Sequence, residues 1–240
     1  GQNTVINGNI AMGAGNDILA IGTGTIINGT LDGGTGSDTL NFGISSKTRA
    51  NTADEINILH DISGFENINV NSNVTLFEKT IGSNGKLTDL TVADVSNLTI
   101  GANGVLTLRI DSSKIDSSSG TDKIIGHTLY GNTGIIKSEN GGKLLLALNG
   151  AGNTDIVSFG TNKLDDSMFG AENSSIEYQE DFTIDTTSFL HSVEKIDSSN
   201  VKIVAQSNLP MFSSIYEYDK LNGIYRGIIS VDELGNFAVN

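Results

Sequence analysis

The sequence predicts an all-β fold wound as a parallel β-solenoid, and three observations predict it. Val5-Ile6-Asn7-Gly8-Asn9-Ile10 returns as Ile26-Ile27-Asn28-Gly29-Thr30-Leu31, and Gly13, Gly15, Asp17, Leu19 and Gly22 return as Gly34, Gly36, Asp38, Leu40 and Gly43, every match at a spacing of 21 residues. Self-similarity at such a period marks repeat units that bury an apolar face against one another. Each unit alternates Ile, Val and Leu with Gly, Asn and Asp, which suits short strands and turns. Finally, 29 glycines stand against a single proline, Pro210, the balance expected where turns need positive φ and strands keep every ladder donor.

Length and composition narrow the alternatives. The 240 residues, 37% hydrophobic, suffice for a sizeable core. The net charge of −14 and pI of about 4.4 repel nucleic-acid backbones and anionic membrane surfaces. With no cysteine, thiol catalysis, disulfides and thiolate metal sites are excluded. No apolar run is long enough to span a bilayer as a helix, and the opening residues carry no signal-peptide pattern, so the chain reads as an excerpt that begins with its first repeat under way.

Residues 1 to about 45 hold the two clear repeats. Their turn-then-strand phrase returns as Gly150 to Gly160 around Asp155 and, more loosely, as Gly120 to Gly126 around Asp122. Residues 51–62, within the longer stretch 47–62, read as a loop with a brief helical turn leading into the alternating strand Ser63-Gly64-Phe65-Glu66-Asn67-Ile68-Asn69-Val70. A distant echo of 59–76 lies at 190–203, where Leu190-His191 and Val193-Glu194 parallel Leu59-His60 and Phe65-Glu66. From 79 to 111 a further pair of stacked coils is expected, Ile81 to Leu87 against Ile100 to Leu106, each built on an Asn-Gly turn. Leu106, Leu108 and Ile110, like Leu144, Leu146 and Leu148, then face inward. About ten coils at roughly 4.8 Å each would make a rod roughly 50 Å long. The domain reading is a parallel β-helix over 1–210 and a cap or linker over 211–240. In the latter, Ile215, Tyr218, Leu221, Ile224, Tyr225 and Ile228 fall at helical spacing and predict a short amphipathic helix over the solenoid end.

Candidate chemistry is sparse. His60, His127 and His191 stand apart from any nucleophile turn; His60 and Asp61, as chain neighbours, would point to opposite faces of a strand. The carboxylate pairs Asp165-Asp166 and Glu180-Asp181 read as solvated loop residues, and the chain has no tryptophan to stack on a sugar ring. No catalytic, cofactor-binding or metal residue is therefore assigned, no cofactor is expected, and the protein reads as a non-enzyme.

The segment Gly34-Thr35-Gly36-Ser37-Asp38-Thr39-Leu40-Asn41-Phe42-Gly43, with Gly13 to Leu19 as a looser copy, resembles the glycine- and aspartate-rich nonapeptide of RTX β-rolls. That family implies calcium held by the turns. Here the motifs stand 21 residues apart rather than nine, and Asp17 with Asp38 would give calcium a thin shell. Asp and Gly as turn formers is the preferred reading.

Ser63-Gly64-Phe65-Glu66-Asn67-Ile68, the stretch Leu98 to Leu108 and the tail Tyr218 to Tyr225 resemble the passenger domains of autotransporters, the type V secreted surface proteins of Gram-negative bacteria. The resemblance implies a right-handed parallel β-helix displayed at the bacterial cell surface and tethered to an outer-membrane barrel outside this sequence. It further implies a monomeric stalk or adhesin that binds a host or bacterial surface receptor, protein or glycan, through its longer loops (47–62, 163–182), with no nucleic acid and no membrane insertion. The alternative is the β-helical scaffold of a surface serine protease whose catalytic domain lies upstream.

Overall fold

The computed structural model describes residues 4–43, 55–82, 84–139, 141–149, 155–169, 183–188, 191–205, 229–231 and 237–239. The chain forms two compact units, Gly1–Val204 and Ala205–Asn240. In the first, stretches of alternating Ile, Leu and Val lie side by side as parallel strands. One sheet stacks Thr4–Asn7, Thr25–Asn28, Ile56–Ile58, Asn73–Leu76, Val105–Asp111, Lys143–Asn149 and Ile184–Thr186. A second stacks Ile18–Ile21, Thr39–Phe42, Asn67–Val70, Asn97–Ile100, Ile135–Ser138 and Lys163–Leu164. A short third joins Ile10–Ala11, Leu31–Asp32 and Ile62–Ser63, and one bridge carries it on to Val92. The chain visits the first, third and second sheets in turn and then starts again one rung along. That is the stacked coil expected of a solenoid.

The period-2 alternation decides which side faces in. Ile27, Ile58, Leu76, Leu108 and Leu146 form one register column, and Leu40, Ile68, Leu98, Ile136 and Leu164 another, all buried. Leu106, Ile110 and Leu144 are buried as expected, and Leu148 packs half-buried against them. Each fully buried Leu or Ile contributes about 1.5–3 kcal/mol relative to exposure. Asparagines stack on the outer side: Asn28 Nδ2 donates to Asn7 Oδ1 at 2.9 Å, Asn69 Nδ2 to Asn41 Oδ1 at 2.8 Å and Asn97 Nδ2 to Asn67 Oδ1 at 3.1 Å.

Those three ladders also measure the coil, at 21, 28 and 30 residues per lap. Among these three ladders the 21-residue period holds between the first two coils only, and among the described residues the first sheet has seven rungs. The rungs keep their register while the corners between them lengthen, since an insertion at a corner leaves the ladder intact.

Several local expectations are corrected. Ile56–Ile58 and Ile62–Ser63 are rungs with Ile56, Ile58 and Ile62 in the core, so 55–62 holds two rungs joined by a bend at 59–61 and no helical turn; 47–54 lie outside the described residues. Lys163–Leu164 is also a rung. Lys79–Ile81 pairs antiparallel with Leu87–Asp89 as a hairpin and does not stack on Ile100 to Leu106, whose Gly101-to-Gly104 turn carries the chain between two sheets. The echo at 190–203 takes a different role: His191–Lys195 and Asn200–Ala205 sit in a mixed sheet with Ile115–Asp116, Lys123–Ile124 and Ile156–Ser158, and Asn200–Ala205 runs antiparallel to its neighbour. Within that sheet Ile124, from the Gly120 phrase, lies beside Val157 in parallel. The expected C-terminal helix falls on 213–228, outside the described residues; what is described of the second unit is the antiparallel pair Ile229–Val231 and Phe237–Val239.

Candidate functional site

The hairpin is where the wall of the coil opens. After Asn73–Leu76 the chain turns outward, reverses at Asn84-Gly85 and re-enters the core at Leu90. Gly85 adopts φ +74°, a conformation that favours glycine, and donates its N–H to Gly82 O at 2.9 Å, while Gly82 N–H donates to Lys86 O at 2.8 Å. Across the pair Ile81 faces Leu87, and the two are 63% and 69% exposed. Apolar side chains this bare, opposite each other on a projecting turn, contribute nothing to the core.

Charge holds the base of the hairpin. Lys79 Nζ donates to Asp111 Oδ2 at 2.7 Å and lies 3.6 Å from Asp89, while Lys114 pairs with Asp89 from the other side. The hydrogen bond from Lys79, with a further one from Ser113, holds the Asp111 carboxyl down at about 2; the same contact raises Lys79. Thr80 Oγ1 donates to Leu59 O at 2.6 Å and lies 2.9 Å from His60 Nδ1, and His60 Nε2 lies 3.0 Å from Asn28 Oδ1. Beside this network lies a cleft of about 520 Å³ whose walls include Lys79, Asp89, Asp111, Lys114, Thr128 and Tyr130.

In the wall of the cleft His127 is a buried residue. Its Nε2 faces Ser158 O at 2.8 Å, an acceptor, so Nε2 carries the proton. Its ring packs edge-on to Tyr130 at 6.2 Å and against Phe159 at 4.9 Å. Burial pushes its pKa down to about 4, so at neutral pH it is an uncharged packing group.

The other titratable residues do structural work. Asp38 is fully buried, accepts the Asp17 N–H on Oδ1 at 2.7 Å and donates its own N–H to Glu66 Oε2 at 2.6 Å. Asp165 accepts the Ser167 N–H at 2.9 Å and starts the short 3-10 turn Asp166–Phe169; Asp166 pairs with Lys195 at 2.6 Å. Glu180 and Asp181 lie outside the described residues. Among the described residues no three His, Asp or Glu side chains converge as a metal site. Sequence reasoning missed two hydroxyl–imidazole contacts, Thr80 with His60 and Ser188 with His191 at 2.9 Å. Each is a contact between sequence-distant or turn-related residues that no motif signals.

Compared with family models, curated proteins and solved structures, the chain matches none.

Proposed function

We propose that this chain is a non-catalytic, right-handed β-solenoid of the autotransporter passenger type, displayed at a bacterial cell surface as an adhesin stalk and tethered to an outer-membrane barrel outside this sequence. The observation that carries the reading is the projecting hairpin with its exposed Ile81–Leu87 pair. An apolar pair raised on a hairpin outside the stacked coils is a contact point for a receptor. Residues 55–62 cannot serve that purpose, because their isoleucines build the core. The acidic surface, at net charge −14, favours a protein or neutral glycan receptor over a polyanion.

The test is binding of the purified chain to host or bacterial cells, compared with an Ile81→Ser/Leu87→Ser variant. Both positions are solvent-exposed, so the variant keeps its fold. Saturable binding that falls at least about tenfold in the variant, a loss of about 1.4 kcal/mol, supports the reading. Equal binding, or none by the parent chain, contradicts it. A proteolytic activity carried by a longer polypeptide and dependent on these coils would instead favour the protease-scaffold reading.

A further inference from the structure

The first coil has one covered face and one bare face. The inward side chains Ile27, Leu31 and Leu40 of the second coil are fully buried. Their equivalents one coil earlier, Ile6, Ile10 and Leu19, are only half-buried. The apolar interior is thus open at this end, where a solenoid needs cover.

The bare face repeats, one period back, the chemistry of an interface seen in full. Between the first two coils, Asn7 Oδ1, Asn9 Oδ1 and Asn16 Oδ1 accept from Asn28 Nδ2 at 2.9 Å, Thr30 N–H at 3.0 Å and Ser37 N–H at 2.9 Å. The carbonyls of Gly13, Asp17 and Ile21 accept from the N–H groups of Thr35, Thr39 and Gly43 at 2.9, 2.9 and 2.8 Å. Moved back 21 residues, the same donors are Asn7 Nδ2 and the N–H groups of Asn9, Ala14, Asn16, Ile18 and Gly22, and they point away from the second coil.

Glycines mark the same vacancy. A Cβ on Gly29, Gly34 or Gly36 would stand 2.0, 1.7 or 1.7 Å from the carbonyl oxygen of Gly8, Gly13 or Gly15, whereas a Cβ on Gly8, Gly13 or Gly15 would meet nothing within 4 Å. The hollows that one coil's carbonyls fill above are open below.

We propose that this face is a docking surface for one further coil of the same phrase, with side-chain oxygens at the positions of Asn7, Asn9 and Asn16, supplied by polypeptide on the N-terminal side of Thr4. A second copy meeting it by the same face is turned over, so the strands brought edge to edge run antiparallel and cannot repeat the parallel register. Net charge of the same sign opposes that pairing as well. The inference rests on the stacked coils and stands or falls independently of the adhesin reading.

The test is the full chain with a duplicate of residues 4–24 fused ahead of Thr4, followed by amide hydrogen exchange. The Ile18 and Gly22 amides are expected to exchange at least about tenfold more slowly than in the parent chain. A duplicate whose three acceptor asparagines are alanine recovers less protection. Unchanged exchange at Ile18 and Gly22 would overturn the proposal. So would the same protection arising in the unextended chain as its concentration is raised and it dimerises, since the occupant would then be a second copy.

Discussion

Asp38 accepts the backbone N–H of Asp17 at 2.7 Å and donates its own to Glu66 at 2.6 Å, so one corner of three successive coils is tied side chain to backbone. The device continues with asparagine: Asn132 Oδ1 accepts Val95 N–H at 3.1 Å, and Asn162 Oδ1 accepts Gly134 N–H at 3.2 Å. At each of these corners a later coil satisfies a backbone donor of an earlier one. Asp38→Ala leaves the Asp17 amide without its acceptor and is expected to destabilise the first unit by about 1–3 kcal/mol in urea unfolding, with Asp38→Asn, which keeps an oxygen there, closer to the parent.

His127 gives the fold a pH limit. Its pKa lies at about 4 in the folded chain against an ordinary 6.5, through burial. The unfolded state therefore binds a proton that the folded state refuses. The contribution is full above pH 6.5 and is lost as pH falls toward 4, about 3 kcal/mol over that interval. His127→Gln keeps a donor for Ser158 O and removes the titration. Its stability is expected to fall less steeply than the parent's between pH 6.5 and 4, and parallel slopes would refute the assignment.

The column Ile56, Val74, Leu106, Leu144 and Ile184 runs through five rungs of the first sheet, all buried. Leu144→Ala empties its fourth position, between Leu106 and Ile184, and is expected to cost about 2–5 kcal/mol by chemical denaturation. Ile115→Ala, at a site 50% exposed, serves as the comparison and is expected to change stability by less than about 0.5 kcal/mol.

The bonds from Lys79 to Asp111 and Asp89 lie near the surface. Lys79→Met is accordingly expected to cost no more than about 1 kcal/mol, less in high salt. The local readout is larger, because amides of 79–89 should exchange faster while those of 97–100 hold their protection.

The stacking of coils was legible where no corner had grown. Thr4 to Phe42 carries two laps with identical spacing, so phrase and register coincide. Further along, register persists through the asparagine ladders Asn41–Asn69 and Asn67–Asn97, but corner insertions hide it from a search at fixed period. Two misreadings have distinct causes. Ile56, Ile58, Leu59 and Ile62 mix the periods of strand and helix, because two short rungs meet at a bend within seven residues. The Asn84-Gly85 and Asn103-Gly104 turns look alike in sequence, yet one reverses the chain and the other carries it around a corner. What distinguishes them is tertiary: Gly101 donates to Val70 O at 2.9 Å and Val105 to Ser72 O at 3.1 Å, contacts that the hairpin turn has no neighbouring coil to make. The ion pairs at Lys79 and Lys114 and the burial of His127 join residues from separate coils and leave no local signal.

Successive coils pair parallel in one register, and the absence of native cysteine allows a direct measurement. Asn69 and Thr99 are register partners in the second sheet, while Asn69 and Asn97 are offset by two residues. Neighbouring Cα atoms across a ladder lie about 4.8 Å apart and the offset pair about 8 Å, against an upper limit of about 7 Å for a disulfide. Under mild oxidation the Asn69→Cys/Thr99→Cys chain is expected to form an intramolecular disulfide in near-full yield and Asn69→Cys/Asn97→Cys to form little. Equal yields, or a preference for the offset pair, would contradict the stacked, in-register solenoid.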